Sequence, residues 1–307
     1  MKNLTSLTTI CVIAIFILMI TSSDTLSVEY FRDDFSGGML DLTKWSCQDR
    51  NWPVGQTWFK CCPDVYNGMA TFKHHTYNQY DATHQSCLSQ EIFTNTEFPV
   101  GSGLEIEARV RIRAPVANGL VAGFFMYMDK LMPYGNPVWS NEIDFEFLTN
   151  QKNNPPETEG HRVFVTTWND FGAPGSGYYD CNHHWGENPV VPGMDLNEFN
   201  IFKIIWLADR VEWYWDSTPQ DDTDNDTLIY ATTCAVPDEP MSLRFNFWAS
   251  TEDWPLAWHP DMQPTDDPAK DLVCYYDVDY VVVRVPEPAT IGFLGLGGLG
   301  LLKRRKP

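Results

Sequence analysis

The sequence predicts an all-β domain, a sandwich or a barrel, with no helical layer. Three observations lead there. Short apolar or alternating runs recur along the chain, broken by Gly, Pro, Asn and Asp. No heptad pattern, useful repeat or long amphipathic helix interrupts them. Once the two ends are set aside, residues 24–285 remain, a length that one all-β domain can reach. Strands without helices bury their apolar faces by stacking on another sheet or by closing on themselves.

The ends read as sorting signals. Residues 1–23 carry Lys2, an apolar run from Ile10 to Ile20 and then Thr21-Ser22-Ser23, the pattern of a secretory signal cut near Ser23. A membrane anchor is the alternative, but the run is short for a spanning helix. The other end reads Pro286-Glu287-Pro288, then Ile291 to Leu302 with five glycines, then Lys303-Arg304-Arg305-Lys306. This 286–307 segment resembles the PEP-CTERM sorting signal of Gram-negative bacteria. The resemblance implies export, processing by an exosortase-type machinery and a place in the cell envelope or outside it. A plain C-terminal anchor is the other reading, with its basic end held in the cytoplasm.

Removing both ends takes away five basic residues and one acid, and the formal charge goes from −20 to −24. A body this acidic argues against nucleic acid as a partner. It also favours a neutral glycan over a polysulfated one. Seven cysteines stay in the body: Cys47, Cys61, Cys62, Cys87, Cys181, Cys234 and Cys274. Export permits disulfides, the odd number leaves at least one thiol over, and the pairing is not readable. Cys181 with His183 and His184 suggests a metal site, although a loop holding a disulfide is the better reading.

The strands follow in order. Leu104 to Ile112 alternates cleanly, and Leu120 to Met128 is mostly apolar. His161 to Trp168 is another strand. Ile201 to Leu207 and Val211 to Trp215 make a hairpin around Ala208-Asp209-Arg210. Ser242 to Trp248 puts Leu243, Phe245 and Phe247 on one face and Arg244, Asn246 and Trp248 on the other. Val278 to Val285 closes the domain, with Asp277 and Asp279 as exposed edge-strand positions. Gln220 to Thr227 is a solvated acidic loop, with a loose calcium site as the alternative.

The chemistry lies in Asn141 to Leu148. Glu142, Asp144 and Glu146 point one way and Ile143, Phe145 and Phe147 the other, a period of two. Like charges side by side repel, and one response is a proton held at raised pKa. A retaining glycosidase needs that arrangement: one carboxylate attacks the sugar while a protonated one releases the leaving group. Cα atoms four residues apart on a strand are ~13 Å apart. Glu side chains leaning along the strand can approach the roughly 5–5.5 Å of a retaining pair. The shorter Asp144 can hydrogen-bond either neighbour. A solvated acidic face is the plain alternative.

Asn141-Glu142-Ile143-Asp144-Phe145-Glu146-Phe147-Leu148 resembles the catalytic E-x-D-x-E strand of glycoside hydrolase family 16. Asp34-Phe35 through Trp45 resembles the family's opening segment, and Gly101 to Arg109 the strand that precedes the catalytic one. Phe124 to Tyr127, Phe202 to Asp216 and Phe245-Asn246-Phe247-Trp248 resemble later parts. The resemblance implies a concanavalin A-like β-jelly-roll of two antiparallel sheets with a concave cleft. It implies Glu142 as nucleophile, Glu146 as acid/base and Asp144 as the residue tuning them. No residue is inserted before Glu146, the form of lichenases and xyloglucan-active members, which implies a mixed-linkage or β-1,4-linked glucan. The segments Phe171 to Trp185 and Asp129 to Val138 depart from these parts of the family pattern and would shape the cleft.

Sugar rings stack on aromatic faces beside a few aimed polar groups. Trp139, Trp168, Trp248, Tyr127, Asn246 and Arg244 are the expected substrate contacts, while Trp206 and Trp213 are expected in the core. The chemistry needs no cofactor. The family often carries a structural calcium, and Asp279 stands where one ligand would be. The expected product is an exported, monomeric endo-β-glucanase acting with retention. Transglycosylation, action on laminarin or galactans, and a non-catalytic carbohydrate-binding sandwich are the competing readings.

Overall fold

The computed structural model describes residues 27–52, 56–100, 102–131, 138–151, 161–173, 180–216 and 226–286. Residues 31–283 form one compact unit; the two ends, 1–30 and 284–307, group separately, and of these only 27–30 and 284–286 are described. The expected signal, 1–23, and all of the expected 286–307 sorting segment but Pro286 therefore lie outside the described residues. So do positions 220–225 of the acidic loop and parts of the two unmatched segments, 132–137 and 174–179.

The strands run in chain order. They are β1 (Ser27–Asp33), β2 (Trp45–Cys47), β3 (Arg50–Trp52), β4 (Thr57–Phe59), β5 (Asp64–Tyr66), β6 (Met69–His75) and β7 (Cys87–Phe98). Then come β8 (Ser102–Ile112), β9 (Leu120–Leu131), β10 (Val138–Leu148), β11 (His161–Arg162), β12 (Phe164–Phe171), β13 (His184–Glu187) and β14 (Val190–Val191). The last are β15 (Asn200–Leu207), β16 (Val211–Asp216), β17 (Asp226–Thr232), β18 (Met241–Ala249) and β19 (Val273–Pro286).

Most of them form two curled sheets, while β11 and β14 pair as a separate two-stranded ribbon. The front sheet has the order β13-β12-β10-β9-β18-β7-β2, antiparallel throughout. The back sheet has the order β17-β16-β15-β8-β19-β6-β5. β7 belongs to both. Its first residues pair with β4 and β6, and Gln90 onward pairs with β18. Of Gly101 to Arg109, read as the strand preceding the catalytic one, residues 102–109 fall in back-sheet β8, and β9 intervenes.

Alternation decides what each strand buries. In β8, Leu104, Ile106, Ala108, Val110 and Ile112 are buried. In β10, Ile143, Phe145 and Phe147 are buried under the acids. Phe245, Phe124 and Phe145 are direct cross-strand neighbours on β18, β9 and β10 and stack at 5.4 and 6.1 Å. Phe145 and Phe147 meet Phe202 of the back sheet at 5.2 and 4.6 Å. Burying one such ring contributes roughly 1.5–3 kcal/mol, so this aromatic layer holds the front sheet on the back. Trp206 and Trp213 are fully buried, as expected.

One strand reading changes. β19 is flanked by β6 and β8, so it is no edge strand there. Asp277 has 0 % exposure and accepts from Arg111 and Arg113 at 2.9 and 2.7 Å. A buried carboxylate needs such partners. The cysteines form Cys47–Cys62 and Cys181–Cys234, leaving Cys61, Cys87 and Cys274 as thiols. Cys181 is thus a disulfide residue rather than a metal ligand, and His183 Nδ1 bonds Asp180 at 2.7 Å.

Candidate active site

Register lines up the front-sheet side chains in three rows. Ser242, Tyr127, Glu142 and Trp168 are successive cross-strand partners. So are Arg244, Phe125, Asp144 and Thr166. The third row is Glu91, Asn246, Gly123, Glu146 and Phe164. Facing residues of neighbouring strands are the closest non-bonded pairs in a sheet, so the rows dictate which groups meet.

A cleft of about 220 Å³ opens over these rows. It is lined by Glu142, Asp144, Glu146, Tyr127, Trp168, Arg244, Asn246 and Trp248, together with Arg50, Glu91, Gly123, Phe125 and Ser140. β10 pairs with β9 without any shift from Val138 to Leu148, so the acid strand is unbulged along that edge. Its irregularity lies between Ser140 and Glu142 on the β12 side.

The acids sit in dense surroundings. Burial, then the charge of Asp144, pushes the Glu142 carboxyl well above its ordinary range. Burial, then the charge of Glu146, does the same to Asp144. These two share a hydrogen bond that raises Glu142 and lowers Asp144, so it favours the proton on Glu142 and the charge on Asp144. Thr166 Oγ1 donates to Asp144 Oδ2 and favours its ionised form. Glu146 is pushed up to about 8 by burial and by the charge of Glu142. Both glutamates keep part of their surface open to the cleft. Tyr127 is also raised, by burial and by Glu142, and its hydroxyl donates to Asp129.

Opposite them sits a fourth acid. Glu91 is 1 % exposed and bonds Arg244 Nη1 at 3.1 Å. Asn246 Nδ2 donates to it at 3.4 Å, while Asn246 Oδ1 is buried without a donor. Gly123 makes this placement feasible, since a Cβ there would lie 2.3 Å from Asn246 Oδ1.

Trp139 is not in this group. It lies three positions before Glu142, and odd spacing turns a strand residue to the other face. Trp248 lines the cleft but is only 6 % exposed; most of its ring packs on Trp254, with centroids 5.9 Å apart, and on Phe59, Val121 and Leu148. Asp279 does not fit a calcium ligand: Arg109 Nη1 donates to its carboxylate, so a guanidinium matches that charge. Among the described residues no cluster of three or more His, Cys, Asp or Glu could hold a metal.

Glu91, Arg50, Gly123, Phe125 and Ser140 escaped the sequence reading. Glu91 left one signal: it is the single charged residue between Cys87 and Thr96.

A curled two-sheet β domain with an acid row on the floor of its cleft has the build of a glycoside hydrolase. Residues 66–265 match the profile of glycosyl hydrolases family 16, and the chain belongs to that family. Residues 284–306 match the PEP-CTERM protein-sorting motif. The fold is that of several solved β-glucanases. A β-1,3-1,4-glucanase (lichenase) from a mouse hindgut metagenome is 18 % identical, with 83 % of this chain and 98 % of that one covered and a TM-score of 0.58. The Bacillus licheniformis β-glucanase is 17 % identical, with 82 % and 96 % covered and a TM-score of 0.57. The endo-β-1,3-glucanase of Pyrococcus furiosus is 20 % identical, with 84 % and 94 % covered and a TM-score of 0.62. No curated protein sequence matches the chain.

Proposed function

We propose that the protein is an exported endo-β-glycosidase that hydrolyses a β-glucan by double displacement with retention. The observation that carries this is the row Glu142, Asp144, Glu146 on the cleft floor, with Glu146 pushed up to about 8 and the other two raised and hydrogen-bonded to each other. At neutral pH Glu146 then holds a proton for the leaving oxygen. Glu142, ionised when Asp144 takes the pair's proton, attacks the anomeric carbon. The glycosidic bond breaks as Glu146 protonates the departing sugar. In the second step Glu146, now a base, takes a proton from water. The resulting hydroxide displaces Glu142 and restores the original anomeric configuration.

Trp168, Tyr127 and Trp248 offer ring faces or edges to the sugar, and Asn246 Oδ1 offers an acceptor for a hydroxyl. The unbulged acid strand, the form of lichenases and xyloglucan-active family members, favours a mixed-linkage or β-1,4-linked glucan. The fold likeness does not choose, because lichenases and β-1,3-glucanases match about equally. The PEP-CTERM motif supports export and exosortase processing in a Gram-negative-type envelope.

The test is a panel of lichenan, barley glucan, xyloglucan, laminarin, agarose and carrageenan with product sizing, run with and without oligosaccharide acceptors. Mid-chain cleavage of lichenan or barley glucan is expected. Cleavage of laminarin or the galactans alone overturns the linkage, and acceptor-lengthened products without hydrolysis overturn hydrolysis.

A further inference from the structure

Arg244 is fixed on all sides. Its Nη1 meets Glu91 at 3.1 Å, its Nε donates to Ser242 Oγ at 3.3 Å, and its guanidinium lies over the rings of Tyr127 and Phe93 at 4.5 and 5.1 Å. Tyr127 is the direct cross-strand neighbour of Glu142. Glu91 is held in turn by Asn246 Nδ2 and, at 3.8 Å, by Arg50. A buried ion pair loses hydration that apolar side chains would not lose, so it is weak as a stabilising device. A charge locked this firmly is suited to acting on a neighbour.

We infer that Arg244, anchored by Glu91, is a positioning residue that favours the ionised form of Glu142 needed for attack, an inference that rests on the assignment of Glu142 as nucleophile. The groups around Glu142 make the case. Its own strand brings Asp144 and Glu146, β9 brings Tyr127 with Asp129, and β7 brings Glu91. β12 brings Trp168 and Asp170, and β13 brings His184 edge-on to Trp168 at 4.8 Å. Nearly all of these are acids or neutral groups, which favour a protonated Glu142. Arg244 opposes them, and its charge draws the Glu142 carboxyl down while Glu91 and Asp144 draw it up.

The test reads protonation directly and needs no substrate. Full-length protein labelled with glutamate carrying carboxyl carbon-13 is titrated by NMR, with Glu142→Gln assigning the resonance. In Arg244→Leu the midpoint of Glu142 should rise by about one unit, a tenfold change in its ionised fraction below that midpoint. Arg244→Lys should recover most of the shift. If Arg244→Leu fails to fold with Glu91 unpaired, the double variant Arg244→Gln/Glu91→Gln removes both charges together. Its Glu142 midpoint should still rise, by less, because Arg244 acts on Glu142 more strongly than Glu91 does. An unmoved or lowered midpoint overturns the inference and leaves the proposed function standing. A raised midpoint with full endo-activity in Glu142→Gln overturns the nucleophile assignment, and the role given to Arg244 falls with it.

Discussion

Trp213 Nε1 donates to the backbone carbonyl of Asp144 at 2.9 Å. A fully buried indole of the back sheet thus reaches through the core to the middle of the acid strand. The bond fixes strand height at the residue that couples the two glutamates. Trp213→Phe keeps an aromatic ring, opens a small cavity and removes the donor. It should lower stability by about 2 kcal/mol, read from denaturant midpoints. Turnover measured well below the melting temperature should fall as well.

Gly123→Ala tests the third row. The new Cβ would lie 2.3 Å from Asn246 Oδ1, and Gly123 faces Glu146 across β9 and β10. Asn246 must move, and its bond to Glu91 moves with it. Activity should fall on the order of 100-fold, the usual cost of about 1 Å of misplacement. Folding should survive, because Asn246 can swing toward the cleft. Circular dichroism and kcat/KM together check both halves.

Glu146 sets a pH dependence of fixed sign. Its folded pKa of about 8 is above that of an ordinary glutamate, so between these values the folded protein binds more protons than the unfolded chain. Its contribution to stability is present at acid pH and is lost as pH rises through about 8. Glu146→Gln should therefore be the more stable protein above that value, with little advantage near pH 4. Melting temperatures across pH 4–9 read this. In the wild type the alkaline limb of kcat/KM should fall near the same pKa, as the general acid loses its proton.

The Cys181–Cys234 bridge spans 53 positions and sits beside the Trp168 edge of the cleft, where Thr167 Oγ1 donates to Cys234 O at 2.9 Å. Closing a loop of that length restricts the unfolded chain by about 4 kcal/mol in the chain-entropy account. Replacing both cysteines by serine should lower the melting temperature and raise KM more than it lowers kcat.

The parts of this architecture legible in the sequence were those written within one strand. Period two in β10, β8 and β18 told which residues face the core, and the hairpin of β15 and β16 appeared with its turn. Contacts made between strands were hidden. Glu91 and Arg244 are 153 positions apart and meet only through the pairing of β7 with β18. Trp139 stays out of the cleft lining for a different reason: its odd spacing from Glu142 turns it to the other face of β10. Asp277 and Asp279 looked like edge residues because nothing in the sequence marks β19 as lying between β6 and β8, beside the arginines of β8.

The most direct measurement is rescue of Glu142→Gly. The variant should lose hydrolysis, and added azide should restore cleavage by entering the space left by the carboxylate. Nuclear magnetic resonance of the product should then show an α-glycosyl azide, the inverted adduct that follows when the native nucleophile is absent. Unchanged hydrolysis in the variant, or a β-linked adduct, would contradict a covalent role for Glu142 and with it the double displacement.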